Sequence, residues 1–269
     1  MRKKMFAMFS LLLLAVFMPQ LILAEELSYE GGSELGIQIM PEAAKKFDAK
    51  TGIKFKSIGH AYGSGKGLEA VMEGNILMAG VSRVLTAEEK KKVYSQIVGY
   101  DALAIYVNAK NRVTNLSKKQ LKAIYKGEVT NWKEVGGEDA KIVAVTESLT
   151  GKGATLKTFQ DIVLDGAEFG TVTEVDRSHN VAKYVAAYEN AIGYASLAFK
   201  SPAIRPVSFN NIEPSDENVR KGRYSLTRPL NLVTKEQPTG DLKKFFEFIL
   251  SPEGQAIVDK RFIPVKPYE

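Results

Sequence analysis

Four turns in this sequence could present backbone N–H groups to a ligand: Gly31-Gly32-Ser33, Gly63-Ser64-Gly65-Lys66-Gly67, Gly151-Lys152-Gly153-Ala154-Thr155 and Ser178-His179-Asn180. In each, small or hydroxyl residues precede a segment with helical spacing of apolar residues. The first N–H groups of a helix have no intrahelical partner and carry positive partial charge, so a helix start suits an anion. One such end contributes about 0.3–1 kcal/mol, up to about 2 when partly buried, so holding an oxyanion calls for several ends to converge. Taken singly, each turn is better explained as a strand-to-helix connection that uses glycine for its backbone freedom.

The catalytic motifs nearest to these turns are incomplete. A phosphate-gripping P-loop needs Gly, four residues, Gly-Lys and then Ser or Thr. Around Gly65-Lys66 the outer positions hold His60 and Gly67, and around Gly151-Lys152 they hold Thr146 and Gly153. Ser64 lacks the flanking glycines of a nucleophile elbow, since Tyr62 and Lys66 stand there. The two histidines, His60 and His179, could join Glu34 as metal ligands, but they lack the H-x-x-x-H spacing of a helical site. The expectation is a binding protein with no enzymatic activity, no cofactor and no metal.

The N-terminus reads as a secretion signal. Arg2, Lys3 and Lys4 precede an apolar stretch from Leu11 to Val16, and Ile22-Leu23-Ala24 supplies a small-residue cleavage site. Pro19 and Gln20 interrupt the apolar run, which argues against a membrane anchor. Cleavage after residue 24 removes three positive charges and lowers the formal net charge from +6 to +3, which is no nucleic-acid footprint. The chain has no cysteine, hence neither disulfides nor the thiol needed for lipid anchoring. A freely soluble periplasmic monomer is expected. Charged residues at 25% and hydrophobic ones at 45% are ordinary globular values and identify no function.

Strand-like runs at 53–58, 76–81, 102–107, 142–145, 192–195 and 230–233 alternate with helical stripes. Met40, Ala43, Ala44 and Phe47 form one stripe between Pro41 and the stop signal Gly52. Val181, Tyr184, Val185 and Tyr188 form another behind Ser178 as N-cap. Ser117 and Gln120 make a capping box, Leu242, Phe245, Phe246 and Ile249 form a last stripe, and Ser251-Pro252 opens a further helix. This alternation predicts an α/β fold with mostly parallel sheets. The polar stretch 208–224 is the longest candidate connection and a possible crossing between lobes.

The order of motifs resembles the phosphate-binding proteins of ABC importers over nearly all of the sequence after the signal. The likeness is carried by Gly99-Tyr100-Asp101, Ile105-Tyr106-Val107-Asn108, and the stretch from Asn115-Leu116-Ser117 to Lys126-Gly127-Glu128-Val129-Thr130-Asn131-Trp132-Lys133-Glu134-Val135-Gly136-Gly137. It continues in Ala191-Ile192-Gly193-Tyr194, Thr227-Arg228-Pro229-Leu230 and Phe248-Ile249-Leu250-Ser251-Pro252-Glu253-Gly254-Gln255. The resemblance implies a two-lobed type II periplasmic-binding fold, each lobe a mostly parallel sheet flanked by helices, joined by two hinge crossings. Lobe 1 would take 25–102 and 228–269, and lobe 2 would take 103–227. The lobes would close on a small anion, and a membrane permease would read the closed form.

The resemblance carries Ser64 and Thr155 over as ligand contacts, but other positions depart from the family pattern. Glu34 replaces a hydroxyl residue, Ser82 stands where some members have an aspartate, and Thr146-Glu147 stand where an arginine is usual. A carboxylate about 4 Å from a bound anion repels it by about 4 kcal/mol at an effective dielectric of 20. Glu34 therefore turns away, is neutralised by Lys66, Arg83 or Lys152, or faces a ligand other than phosphate. The expected oxyanion site comprises N–H groups at Leu35 and Thr155, hydroxyls of Ser33, Ser64, Ser82 and Thr155, and the turns at Gly65, Gly153 and Ala154. Lys66, Arg83 and Lys152 would supply charge, with Ser178 and Asn180 on the opposing wall. Two alternatives stay open: the same fold binding an organic acid or metal complex through Glu34, His60 and His179, and a sensor acting through protein contacts.

Overall fold

The computed structural model describes residues 26–265 apart from 152. The expected signal segment and Lys152 lie outside the described residues.

The chain opens with strand β1 (Leu27–Gly31), helices α1 (Ser33–Gln38) and α2 (Met40–Thr51), strand β2 (Phe55–Ile58), helix α3 (Gly63–Glu73), strand β3 (Met78–Val81) and helix α4 (Ala87–Lys90). Strand β4 (Tyr94–Asn108) follows, then β5 (Asn115–Leu116), α5 (Lys118–Lys126), β6 (Val143–Glu147), α6 (Ala154–Val163), β7 (Thr173–Val175) and α7 (Ser178–Ala187). The remainder is β8 (Ala191–Ser196), β9 (Ile204–Phe209), α8 (Asp216–Arg220), β10 (Thr227–Thr234), α9 (Gly240–Leu250), α10 (Pro252–Asp259) and β11 (Ile263–Pro264).

Strand order is β2-β1-β3-β10-β4-β8-β6-β7. The outer members pair in parallel, β2 and β3 with β1 and β7 and β8 with β6, as expected for helix-connected strands. The middle is antiparallel, because β4 runs against β10 along its first part and against β8 and β9 along its second. The two chain crossings thus lie side by side, with Arg228 opposite Asp101 and Thr227 opposite Ala102.

Each end of the curled sheet has its own core. Tyr29, Leu35, Met40, Phe47, Leu230, Phe245 and Ile249 bury together at one end. Ile105, Leu121, Tyr125, Trp132, Phe159, Ile192 and Tyr194 do so at the other. The reverse faces are covered by α3 through Leu68 and Val71 and by α7 through Val181 and Val185. Both sheet faces are buried, so the strands read as continuous apolar runs.

Most helix signals fold as expected: Gly52 ends α2 at φ 74°, Ser117 and Gln120 make their capping box, and Ser251 caps α10 ahead of Pro252. Tyr188 does not join its expected stripe, because α7 ends at Ala187 and Tyr188 is left exposed in extended backbone. Two further local expectations change. Helix α7 starts at Ser178 itself, with Arg177 at the cap position and no side-chain cap bond. The stretch 208–224 is not a crossing, because Phe209, Val219 and Tyr224 all bury in one core and the return crossing falls at Thr227-Arg228.

Candidate ligand-binding cleft

Strand β1 delivers Gly32 to a crowded point. Its N–H donates to the Gly80 carbonyl at 2.9 Å. A side chain there would stand 2.9 Å from Ser64 Oγ and 3.2 Å from Ser82 Oγ, so glycine lets three segments close on one another. Ser64, in the first turn of α3, accepts a hydrogen bond from the Ser82 N–H at 3.1 Å. Ser82, just past β3, donates its hydroxyl to Glu34 Oε2 at 3.2 Å. Glu34, in the first turn of α1, is 3% exposed.

The charge beside Glu34 comes from β10. Arg228, 1% exposed, donates from Nη2 to Glu34 Oε1 at 2.8 Å, from Nε and Nη2 to Asp101 Oδ2 at 3.0 and 2.8 Å, and from Nη1 to Thr155 Oγ1 at 2.9 Å. Asp101 also accepts from the Ser196 hydroxyl at 2.7 Å. A single guanidinium therefore ties α1, the β4 crossing and the start of α6 together. Burial opposes its charge, but Glu34 and Asp101 outweigh burial and hold its pKa above the ordinary value. Burial pushes the Asp101 carboxyl up to about 6, against the pull of Arg228.

The facing wall carries a third buried carboxylate. Glu147 ends β6 and accepts the Leu156 N–H at 2.5 Å from the first turn of α6. A side chain on Gly153 would stand 2.3 Å from Glu147 Oε1, so glycine at this cap makes room for the carboxylate. Burial raises the Glu147 pKa to about 7; the Leu156 N–H opposes the rise and nearby Glu34 adds to it. Beneath this wall, Thr146 meets the Tyr194 hydroxyl at 2.5 Å, and the Tyr194 ring stacks on Phe159 at 3.8 Å. This packing fixes the end of β6 against α6.

Between the walls lies a hollow of about 360 Å³, lined by Gly32, Ser33, Glu34, Ser64 and Lys66 on one side and by Glu147, Gly153, Ala154, Thr155 and Ser178 on the other. His60, Tyr62 and Arg177 stand along it as well. Arg177 bridges the walls, donating to the carbonyls of His60 at 3.0 Å and Ala61 at 3.3 Å.

The expected residues are therefore only partly assembled. Ser33, Glu34, Ser64, Lys66, Gly153, Ala154, Thr155 and Ser178 line the hollow. The Leu35 side chain packs into the core while its N–H, the group expected to bind, belongs to the first turn of α1; Gly65 is buried within α3, and Ser82 is fully buried behind Glu34. Arg83 is not a cleft cation: Glu89 holds its guanidinium at 2.7 and 2.8 Å. Asn180 turns to Asp176, and His179 lines a different depression from the one His60 borders. Among the described residues no group of three or more His, Cys, Asp or Glu could hold a metal ion.

Sequence reasoning missed Arg228, Asp101 and Arg177, and noted Glu147 only as a lost arginine. A lone arginine in the apolar run Thr227–Thr234 was a usable signal, because a charged residue in a buried strand must be paired.

Residues 31–253 match a PBP superfamily domain. The chain is 33% identical over 212 residues to the phosphate-binding protein PstS of Bacillus subtilis, covering 76% of this chain and 70% of the relative. The chain belongs to the phosphate-binding protein family. To PstS of Borreliella burgdorferi this family member is 29% identical over 252 residues, covering 88% of itself and 89% of the relative. Among solved structures it resembles an ABC transporter substrate-binding protein from Clostridium perfringens with bound phosphate, at TM-score 0.83 and 35% identity over 90% of this chain and all of that one. An ABC-type phosphate transport receptor from Vibrio cholerae superposes at TM-score 0.75 and 27% identity, over 89% of this chain and all of that one. The expected type II two-lobed fold is thus the fold of its relatives, which are named as binding proteins.

Proposed function

We propose that this protein is the solute-binding component of an ABC importer, exported by its N-terminal signal to the periplasm, and that it closes around phosphate or another small oxyanion. Lobe 1 would comprise 25–102 and 228–269 and lobe 2 would comprise 103–227, hinged where Arg228 faces Asp101. The observation that carries this reading is convergence: the starts of α1, α3, α6 and α7 all border the same hollow. Several polarised helix ends then act on one ligand, which no single end could hold.

In this reading Ser33, Ser64 and the α3 N–H groups grip the oxyanion from one lobe, and the first turns of α6 and α7 grip it from the other. Lys66 and Arg177 supply positive charge at the edge. Glu34 does not repel the ligand with its full charge, because Arg228 lies against it. Arg177 holds the lobes together once closed, giving a membrane permease a single shape to read.

Ligand-dependent melting against phosphate, arsenate, sulfate and small organic acids tests the proposal. A ligand at a hundred times its Kd stabilises by about 2.7 kcal/mol, or about 5–10 °C in Tm for a chain of this size. Phosphate is expected to raise Tm by that amount. Silence toward every oxyanion at pH values between about 5.5 and 8 would overturn the reading.

A further inference from the structure

The ions around the hollow do not balance for a simple anion. Arg228 is fully engaged by Glu34, Asp101 and Thr155, and it does not line the hollow. Among the described residues, the buried charged groups of this region are one guanidinium and three carboxylates: Glu34, Asp101 and Glu147. Glu147 is the one that Arg228 does not touch. It borders the hollow at the start of α6, held by the Leu156 N–H and by its fit against Gly153.

At about pH 8, where it is ionised, the Glu147 carboxylate only accepts hydrogen bonds and cannot face the bare oxygen of an oxyanion. An ammonium offers three donors and the missing positive charge. On the opposite wall Glu34 is paired with Arg228, and Lys66 and the Ser33 and Ser64 hydroxyls stand beside it.

We propose that the ligand is an oxyanion carrying its own primary ammonium, of the aminoalkyl phosphonate or phosphate ester class, with the ammonium received by Glu147. The inference rests on the oxyanion reading and narrows it. The Ser33, Ser64 and Lys66 wall takes the phosphonate end. Glu147 is then the specificity-determining residue.

Calorimetric titration with inorganic phosphate, ethylphosphonate and 2-aminoethylphosphonate at about pH 8 tests this in the wild-type protein and in Glu147→Gln. The wild type is expected to bind 2-aminoethylphosphonate at least tenfold more tightly than ethylphosphonate, about 1.4 kcal/mol, while Glu147→Gln binds the two within about twofold. Equal affinities in the wild type, or a preference that survives in Glu147→Gln, overturn the proposal. If inorganic phosphate binds tightly and the ammonium adds nothing, the oxyanion reading stands and the narrower inference falls. If none of the three binds, both fall. Should Glu147→Gln fail to fold, the wild-type comparison alone decides.

Discussion

Arg228 and Glu34 lie 194 positions apart in the chain and 2.8 Å apart in the fold, both almost completely buried. Asp101 completes the set from the neighbouring crossing strand. Removing one partner of a buried ion pair strands the other charge in a medium that solvates it poorly, at a cost of about 3–5 kcal/mol. Arg228→Leu is therefore expected to lower unfolding free energy by about that amount at neutral pH or above, measured by urea denaturation. A loss below about 1 kcal/mol would mean that the pair does not hold the crossing.

Glu147 makes stability depend on pH in a stated direction. Its pKa in the folded chain, about 7, lies above the ordinary 4.5, so the folded protein binds more protons than the unfolded chain between those values. Its contribution is fully present below about 4.5 and is lost as pH rises through about 7. The difference corresponds to on the order of 3 kcal/mol. Urea denaturation of wild type and Glu147→Gln across that range is expected to show the wild type losing stability relative to the variant as pH rises. A constant difference from about pH 5 to 8 would contradict the burial argument.

Half-buried Arg177 donates across the mouth of the cleft to the carbonyls of His60 and Ala61, and those bonds are open to water. Such bonds contribute about 1 kcal/mol in total, felt only when the walls are together. Arg177→Ala is expected to speed ligand release about fivefold in stopped-flow measurements while leaving the urea midpoint almost unchanged. An unchanged release rate would remove Arg177 from closure.

Much of the local structure was legible in the sequence. Pro41 with Gly52, Ser117 with Gln120, and Ser251 with Pro252 are short-range signals, and each sits where its spacing placed it. The stretch around Trp132 reads equally well: Asn131 caps its turn, and the indole N–H donates to the Asn190 carbonyl at 3.0 Å. Strand β4 was half seen, because residues 94–97 are partly exposed and its first half becomes strand by pairing with β10, more than a hundred positions later. Strand β1 is only five residues long and escaped notice.

For the site, the hydroxyl and glycine turns were legible as a set, because a helix start announces itself locally. The charge partners were not. Glu34 needed neutralising, yet nothing near it in sequence points to β10 rather than to the closer Lys66 or Arg83. Arg83 was avoidable, since Thr86 and Glu89 make a capping box six residues on that also collects the arginine. Glu147 was visible only as a replacement, and its role depends on Gly153 and α6 folding back onto it.

The most direct measurement is calorimetric titration with inorganic phosphate, at about pH 6, of the wild-type protein and of Ser33→Trp, which fills the hollow from the first residue of α1. Capture between the two walls predicts one saturable site per chain in the wild type and its loss in a variant that remains folded. Phosphate binding that ignores the tryptophan, or no saturable binding in the wild type, would contradict the cleft as the seat of function.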